Sequence, residues 1–281
     1  MNKIMIKADK YYLKNIKKIQ KNGSWDEKPR PKYLDGTPAY SKFITGVFEE
    51  YNITKGEFPI TTLRPTAIKT GIKEILWIYQ KQSNLLSDAH NLGINWWDEF
   101  DIGDGTIGQR YGATIKSHNL MDDFLKRLKE DPFSRRHILN MYQYGDLESS
   151  PGLFPCAYET LWSVRKDHKN EYILDLTLVQ RSNDYIMAGY INKIQYVALQ
   201  MMVAGHCGYK IGMFKHLTQN LHIYDRHFEG VNELLNRTPV DIQPILTLKE
   251  NKFFFDYTVD DFEISDVSWI KPLSQKLEIA I

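Results

Sequence analysis

A cysteine flanked by arginines is the feature of this sequence best suited to covalent chemistry. Cys156 is one of two cysteines in 281 residues, with Arg135 and Arg136 before it and Arg181 after it. A thiol attacks as its thiolate, and nearby positive charge lowers the thiol pKa and favours that form. Arginine is also the side chain that best grips a phosphate, through two parallel hydrogen bonds. The pattern predicts a nucleophilic cysteine beside a phosphate site, with a small buried core cysteine as the alternative.

The composition bounds the class of protein. The 36 lysines and arginines nearly balance the 35 aspartates and glutamates, for a net charge of +1, so no overall field attracts DNA or a membrane surface. Residues 1–7 lack the long apolar stretch of a signal peptide, and no apolar run is long enough for a membrane helix. Two widely separated cysteines indicate no disulfide framework. We therefore expect a cytoplasmic protein without DNA or membrane partners, in which Cys207 is structural.

Apolar spacing predicts the elements that must position these groups. Residues 172–180 alternate in part between apolar and polar and predict a strand leading into Arg181, and residues 252–257 predict a late strand. A connector at residues 28–32 is expected to join the N-terminal helix to the first strand. Helices and strands are mixed without a regular βαβ rhythm, so we expect an α+β fold. Segments with the spacing or length of helices are residues 12–22, 66–80, 120–130 and 194–205.

Motifs along most of the chain resemble, in order and approximate spacing, the thymidylate synthase and nucleotide hydroxymethylase family. The resemblance begins near Gly36 and depends on the whole set rather than on any one piece. The motifs include Pro59-Ile60-Thr61-Thr62, Lys73-Glu74-Ile75-Leu76-Trp77, Trp97-Asp98-Glu99, residues 104–112, Arg135-Arg136, Phe154-Pro155-Cys156, Arg181-Ser182-Asn183-Asp184, Asn192, His222-Ile223-Tyr224 and Ile279-Ala280-Ile281.

The resemblance implies one domain over residues 1–281, with residues 1–31 as an N-terminal helix and connector. It implies a mixed β-sheet packed with helices, and sheets stacked back to back in an obligate homodimer. Its chemistry is one-carbon transfer from 5,10-methylenetetrahydrofolate to carbon 5 of dUMP, without a metal. Cys156 would add to carbon 6, which makes carbon 5 nucleophilic.

The same resemblance assigns the substrate and proton-transfer residues. Arg181 and Ser182 would bind the phosphate from the same subunit, and Arg135 and Arg136 would reach it from the partner subunit. The alternative for the latter pair is an exposed cation pair at the end of a helix. His222 and Tyr224 would bind the deoxyribose hydroxyl, and Tyr111 would help to remove the proton from carbon 5.

Glu74 and Asn192 each have a functional and a structural interpretation. Glu74 lies in an apolar helical segment, where a carboxylate must be paired or have a raised pKa, and the family uses it as general acid and base. Alternatively it is a solvent-facing partner of a lysine. Asn192 would read the uracil edge through its amide, whereas an aspartate there goes with cytosine. Alternatively it caps the apolar helix that follows.

The folate side of the site is assigned by resemblance to Trp96, Trp97 and Asp184, with Ala280 in a tail that covers the pocket. Arg64 is a weaker candidate for the folate's glutamate tail.

Four departures from the family pattern matter. The loop at 185–192 lacks the usual leucine-glycine and proline-phenylalanine pairs. Residues 218–220 replace a glycine-rich segment, and Phe100 replaces an expected indole. The loop at 34–39 lacks an arginine, for which Arg30 or Lys32 is the nearest substitute.

Three functions remain open from the sequence. Reductive methylation giving dTMP and dihydrofolate fits Asn192 and the tail. A hydroxymethylase acting on dUMP or dCMP, which adds water instead of hydride, shares Cys156, Glu74 and the arginines. An inactive nucleotide- or RNA-binding relative is a third hypothesis, and the intact nucleophile argues against it.

Overall fold

A six-stranded mixed sheet forms the frame of the protein. The computed structural model describes residues 5–281. The expectation for the N-terminal segment, residues 1–7, therefore lies mostly outside the described residues. The strands of the sheet are β1 (Ser24–Trp25), β2 (Ser41–Asn52), β3 (Ile138–Asn140), β4 (Ala157–Lys166), β5 (Tyr172–Asp184) and β6 (Lys210–Tyr224), and β7 (Leu246–Leu248) pairs separately with β8 (Phe262–Ile264).

Helices cover one face of this sheet. They are α1 (Lys7–Asn22), α2 (Ile68–Ile75), α3 (Leu86–Asn91), α4 (Gly112–Ser117), α5 (Leu120–Glu130), α6 (Tyr144–Ser149), α7 (Gly189–Cys207) and α8 (Phe228–Asn236). The chain continues from α2 as a π-helix over Leu76–Lys81, and short 3₁₀ turns lie at Ile53–Lys55, Asp98–Phe100, Asp225–His227, Phe254–Asp256 and Val259–Asp261.

The strand order β1-β2-β6-β5-β4-β3 places the two site-bearing strands in the middle of the sheet. β5 and β6 run parallel and are connected through α7, while every other neighbouring pair in this sheet is antiparallel. Parallel strands end at the same edge, so Asp184 at the end of β5 lies directly beside His222 near the end of β6. The mixed sheet and the α+β class predicted from the sequence are confirmed.

The core lies between the sheet and α7. A row of directly paired residues crosses the strands on the helix-covered face through Trp162, Leu176, Phe214 and Tyr51, all of them buried. Every residue of α7 from Lys193 to Ala204 is buried as well. An apolar helix of this length satisfies its own backbone groups while its side chains fill the space over the strands.

A helix is present at each predicted position, but some of the helices begin or end at other residues than predicted. α5 has the predicted bounds, whereas α1 begins at Lys7 and α7 begins at Gly189, both earlier than the apolar periodicity indicated. The strand predicted at 172–180 extends to Asp184. The connector at 28–32 follows the short β1 and leads to β2, so it does not precede the first strand.

The late strand predicted at 252–257 is wrong. Phe254–Asp256 forms a 3₁₀ turn instead. The backbone N–H of Phe254 donates to His206 Nδ1 at 3.1 Å, and Gln80 Nε2 donates to the carbonyls of Phe254 and Tyr257 at 2.6 and 3.0 Å. Because side chains satisfy these backbone groups, the segment needs no neighbouring strand. Within residues 5–281, no helix is long and apolar enough to cross a membrane.

Candidate active site

One cavity, open at the edge where β5 and β6 end, gathers most of the predicted site. Its volume is about 710 Å³, within the range of small-molecule sites. The predicted residues that line it are Glu74, Trp96, Trp97, Tyr111, Cys156, Arg181, Ser182, Asp184, Asn192, His222, Tyr224 and Ala280. Arg135 and Arg136, and the weaker candidate Arg64, do not line it.

Cys156 immediately precedes β4 and is held by two neighbours. Its backbone N–H donates to the Tyr111 hydroxyl at 3.0 Å, and the Arg181 guanidinium lies 3.6 Å from its Sγ. Arg181 also donates to the carbonyls of Phe154 and Pro155 at 2.6 and 3.0 Å. The cation is therefore fixed against the cysteine loop instead of extending freely into solvent.

Two opposing effects act on the Cys156 thiol. Burial raises its pKa above the ordinary value, because it disfavours the charged thiolate, while the charges of Arg181 and Arg30 lower it. Burial is the larger effect, so the net shift is opposite to the one expected from the flanking arginines. The arginines act in the expected direction but do not make a standing thiolate.

Tyr111 occupies a strained backbone conformation next to the nucleophile. Its φ of 48° and ψ of −107° precede α4, and a non-glycine residue in such a region costs about 1–3 kcal/mol. The ring packs edge-on against Trp97, and the hydroxyl holds the Cys156 backbone. Burial raises the tyrosine pKa well above its ordinary value, so the phenol is neutral. The strain places a phenol where it meets the cysteine.

Glu74 is a buried carboxylate inside the cavity wall. It projects from the last turn of α2 and accepts a hydrogen bond from Trp96 Nε1. Burial raises its pKa to about 7, against the lowering effects of Trp96, Trp97 and Gln195. The alternative of a solvent-facing lysine partner is wrong, because the side chain is 8% exposed and no ion pair within the described chain includes it. A carboxylate with this pKa can both give and take a proton near neutrality.

Asn192 lies within α7 and does not cap it. Its backbone N–H donates to Ala188 at 2.9 Å, and the N-cap residue is Ala188 itself. The helix-cap alternative is therefore wrong. The Asn192 side chain accepts from Gln180 and Asn183 at 3.0 and 3.2 Å, and donates to Gln195 at 3.0 Å. This polar group at the cavity wall belongs to a network of amides.

The strand ends position the next three side chains. Asp184 Oδ1 accepts from the backbone N–H groups of Ile186 and Met187, each at 3.1 Å, which fixes the loop after β5. His222 Nδ1 lies 3.0 Å from Asn220 Oδ1, and burial lowers the pKa of His222. Its ring packs edge-on against Tyr224. Asn220 is one of the residues that depart from the family pattern, and here it orients His222.

The predicted folate-facing residues differ in exposure. Trp96 is partly exposed in the cavity, whereas Trp97 is 7% exposed and packs against Phe100 and Tyr111. Phe100, the residue that replaces an expected indole, also lines the cavity. Arg64 does not line it, because its guanidinium donates to the Ile186 carbonyl and so holds the loop after Asp184.

The structure distinguishes the two candidate substitutes for the missing loop arginine. Arg30 lines the cavity and its charge acts on the Cys156 thiol. Lys32 instead pairs through its backbone with Ile281, at 2.7 and 2.9 Å. Ala280 packs against Tyr33 beside this pairing. The tail and the connector thus form one side of the cavity.

Arg135 and Arg136 are exposed in a turn just before β3 and do not line the cavity of their own chain.

Sequence reasoning missed three buried amides at the cavity. Gln180, Asn183 and Gln195 are each 2% exposed or less. Gln195 lies in an apolar helix, where an amide without a partner is costly, and it follows Asn192 by one helical turn. An amide among apolar residues, one turn after Asn192, is the sequence signal that could have identified Gln195. Among the described residues, no group of three or more His, Cys, Asp and Glu side chains could hold a metal ion.

Comparisons with known proteins agree along nearly the whole chain. The family model described as Thymidylate synthase matches residues 10–279. The thymidylate synthase of Streptococcus pneumoniae (strain ATCC BAA-334 / TIGR4) is 49% identical over 283 residues, covering 99% of this chain and 100% of the relative. That of Lactococcus lactis subsp. lactis (strain IL1403) is 48% identical over 280 residues, with the same coverage of both chains.

A solved structure has the same fold. The thermostable thymidylate synthase A from Bacillus subtilis superposes with a TM-score of 0.88 at 34% identity, covering 98% of this chain and 99% of that chain.

Proposed function

The chain belongs to the thymidylate synthase family and is a methyltransferase of dTMP biosynthesis, and from that premise we propose how its residues carry out the reaction. The substrate is dUMP and the one-carbon donor is methylenetetrahydrofolate. The observation that supports this most is the single cavity in which Cys156, Glu74 and Asn192 meet. A hydroxymethylase would use the same nucleophile, but the comparisons favour methyl transfer.

Cys156 is the nucleophile. Its sulfur forms a bond to carbon 6 of the uracil ring, and the electrons of the C5–C6 double bond move to the carbonyl oxygen at position 4. Arg181 lies 3.6 Å from the sulfur and stabilises the thiolate as it forms. The resulting enolate makes carbon 5 nucleophilic. When bound, methylenetetrahydrofolate supplies the one-carbon unit and a hydride, and it leaves as dihydrofolate.

Glu74 and Tyr111 move protons. Glu74, with a pKa of about 7, transfers a proton to and from the pyrimidine oxygen through water. Tyr111, whose hydroxyl already holds the Cys156 backbone at 3.0 Å, lies beside the site of addition and assists removal of the proton from carbon 5. The raised pKa makes each group available in its neutral form at neutral pH.

Glu74→Gln is expected to lower kcat by about a hundredfold or more and to remove the dependence of kcat/KM on pH near 7. The pKa of Glu74 is raised from 4.5 to about 7 in the folded chain. Its contribution to stability is therefore present below about pH 4.5 and is lost as the pH rises through about 7. Glutamine does not ionise, so the variant keeps this stability as the pH rises. The Tm of the variant minus the Tm of the parent should therefore increase between pH 5 and pH 8.

Glu99→Gln is the matched control, since Glu99 lines the same cavity but is exposed. Steady-state kinetics over a range of pH gives kcat and kcat/KM for both variants, and differential scanning calorimetry over the same range gives their Tm. If kcat/KM of Glu74→Gln still changes with pH near 7, the ionisation responsible belongs to another group.

The phosphate of dUMP binds to Arg181, Ser182 and Arg30. Arg181 and Ser182 end β5 at the mouth of the cavity, and Arg30 faces them from the connector. Arginine holds a phosphate through charge-assisted paired hydrogen bonds. His222 and Tyr224, on the neighbouring strand, bind the deoxyribose, and Asn192 reads the base.

Arg30→Ala is expected to raise the KM for dUMP by about tenfold or more, with a smaller effect on kcat. Lys32→Ala is the matched control, because Lys32 contributes only its backbone to the tail pairing. Its KM should stay within about twofold of the parent value. Steady-state kinetics with varied dUMP measure both, and equal increases in the two variants would contradict a specific role for Arg30.

The folate binds on the side of the cavity formed by Trp96, Trp97 and Asp184. The partly exposed indole of Trp96 offers a surface for an aromatic ring system, and the Asp184 carboxylate can accept from its nitrogen-bound hydrogens. Ala280, paired beside Tyr33, belongs to a tail that closes this side and keeps water from the reacting carbon.

The functional unit is a homodimer formed through the uncovered face of the sheet. Phe48, Leu217 and Val179 are directly paired across β2, β6 and β5. Phe48 is 50% and Leu217 37% exposed. Ile138 and Leu161 extend the apolar surface across β3 and β4. Exposed apolar side chains on a sheet face favour cover by a partner, and a second copy presents the same face in an isologous interface.

In such a dimer, Arg135 and Arg136 at the start of β3 reach the partner's phosphate site. Both thiols of the chain are free, which suits the reducing conditions of the cytoplasm.

Mass spectrometry of the nucleotide product tests the proposed reaction. With dUMP and methylenetetrahydrofolate, the product should gain a methyl group, and dihydrofolate should accumulate in equal amount. A product heavier by one further oxygen, with no dihydrofolate, would establish the hydroxymethylase alternative. Trapping of a protein–nucleotide adduct at Cys156 by peptide mapping tests the covalent step separately.

A further inference from the structure

The orientation of the Asn192 amide decides which base it reads. Uracil presents an acceptor at position 4 and a donor at N3, whereas cytosine presents a donor at position 4 and an acceptor at N3. A 180° turn of an asparagine amide exchanges its carbonyl oxygen and its NH₂ group. An Asn192 that turned freely would therefore suit either base. Selection of uracil requires that something hold the amide in one orientation.

Two neighbouring amides oppose that turn. Gln180 Nε2 and Asn183 Nδ2 both donate to Asn192 Oδ1, at 3.0 and 3.2 Å. A turned Asn192 would place its NH₂ group against these two donors. Gln180 and Asn183 are each 2% exposed, so water cannot replace the lost hydrogen bonds. The turn becomes easy only if Gln180 turns as well, together with Asn183 and Gln195, which also bind the Asn192 amide.

His216 is placed to set the orientation of the Gln180 amide. The imidazole Nε2 lies 2.9 Å from Gln180 Oε1, and Asn183 Nδ2 donates to the same oxygen at 3.0 Å. When Nε2 carries the hydrogen, Gln180 must present its oxygen to His216 and its NH₂ group to Asn192. The opposite tautomer would favour the reverse orientation of the whole chain of amides. His216 thus terminates the network that sets Asn192.

The surroundings of His216 are fixed by charged and aromatic groups. Its ring stacks on Phe214, and Thr218 Oγ1 lies 3.2 Å from Nε2. Glu49 is directly paired with His216 across β2 and β6, and its carboxylate binds the ammonium of Lys193 at 2.9 Å. His216, Glu49 and Lys193 are all 2% exposed or less. Burial and the Lys193 charge lower the pKa of His216 well below its ordinary value, so the ring is neutral.

The Lys193–Glu49 pair also accounts for the unusual loop between Asp184 and Asn192. The Lys193 ammonium lies 4.8 Å and 4.1 Å from the ring centroids of Tyr185 and Tyr190, within the range of cation–π contacts. Both tyrosines lie in the loop that departs from the family pattern, and Thr218, beside His216, lies in the second departing segment. Residues from two of the four departing segments therefore belong to one buried polar cluster behind the base-reading amide.

We propose that His216 is a specificity-determining positioning residue, whose Nε2–H locks the Gln180 and Asn192 amides in the orientation that accepts uracil and rejects cytosine. This inference rests on the proposed function, in which Asn192 contacts the base. His216 itself contacts neither the base nor Cys156, and it acts through Gln180.

The test is the ratio of the Kd values for dCMP and dUMP, measured by isothermal titration calorimetry. His216→Phe keeps an aromatic ring for stacking but removes the donor, and we expect the ratio to fall by about tenfold, mainly through tighter dCMP binding. His216→Trp keeps an N–H and no acceptor at the equivalent ring position, and its ratio should stay within about twofold. Thr218→Val, which leaves the Gln180 contact intact, should also preserve the ratio.

Two outcomes would overturn the inference. One is an unchanged ratio in a folded His216→Phe, and the other is an equal fall in His216→Phe and Thr218→Val, which would indicate general loosening. Thermal denaturation reports folding of each variant, and His216→Leu replaces His216→Phe if the latter does not fold. Asn192→Asp separately tests the proposed function, in which Asn192 contacts the base. If Asn192→Asp shifts preference towards dCMP and His216→Phe does not, only the inference fails; if neither shifts it, the base is read elsewhere.

Discussion

Cys156→Ser is expected to lower turnover by at least about a thousandfold while dUMP binds within about threefold of its normal affinity. A serine hydroxyl is far less acidic than a thiol and does not add to carbon 6 at a useful rate. The side chains proposed to bind the phosphate, sugar and base all lie on other residues, so the binding energy should survive. Single-turnover kinetics and calorimetric titration with dUMP measure the two quantities independently.

Cys207→Ser is the matched control for this prediction. Cys207 is the other free thiol and lies at the end of α7, partly buried against the core. Burial raises its pKa to about 11, so it is an unreactive thiol near neutrality. Its replacement should leave kcat unchanged within about twofold. Turnover of Cys156→Ser within about tenfold of the parent would contradict covalent catalysis.

The raised pKa of Cys156 means that the thiol is neutral before it attacks. The sequence suggested a thiolate held ready by arginines, but burial outweighs their charges in the folded chain. The thiolate therefore has to form as the sulfur attacks, with Arg181 close enough to stabilise it and Tyr111 fixing the backbone. A neutral thiol is also less readily oxidised than a standing thiolate.

The parts of the fold that the sequence predicted are those with a local signal. The helix at Leu120–Glu130 has an apolar stripe, and Asp131-Pro132 follows it, so its bounds agreed. The beginnings of α1 and α7 were missed, because Ala8, which starts the buried stripe of α1, lies among charged residues, and α7 begins with a glycine. The segment at 252–257 has the composition of a strand but found side-chain partners on α7 and on the π-helix after α2, and no local pattern shows that.

The candidate site divides in the same way. Cys156 and Arg181 could be predicted because they lie in short motifs whose residue types limit the chemistry, and Asp184 was assigned by the family resemblance. Gln180 and His216 could not, because their importance depends on hydrogen bonds across β5, β6 and α7. Glu49 and Lys193 are 144 positions apart along the chain, and two isolated charges at that separation do not indicate a buried pair.

The predicted roles of Arg135 and Arg136 depend on a second copy of the chain. In one chain both side chains are exposed and lie away from the cavity. They begin the turn into β3, whose Ile138 belongs to the exposed apolar face with Leu161. Stacking two such faces about a two-fold axis brings the turn of one copy to the other copy, and it does so reciprocally.

Mixing two inactive proteins is expected to restore activity if the site is shared. One protein carries Cys156→Ser, and the other carries both Arg135→Ala and Arg136→Ala. Random exchange of subunits makes about half of the dimers mixed, and each mixed dimer contains one site with an intact cysteine and intact partner arginines. About a quarter of the wild-type activity should therefore return. If the arginines served their own chain, no site in any dimer would be complete, and the mixture would stay inactive. Native mass spectrometry of the mixture establishes that exchange has occurred, so a mixed dimer without activity would contradict the shared site.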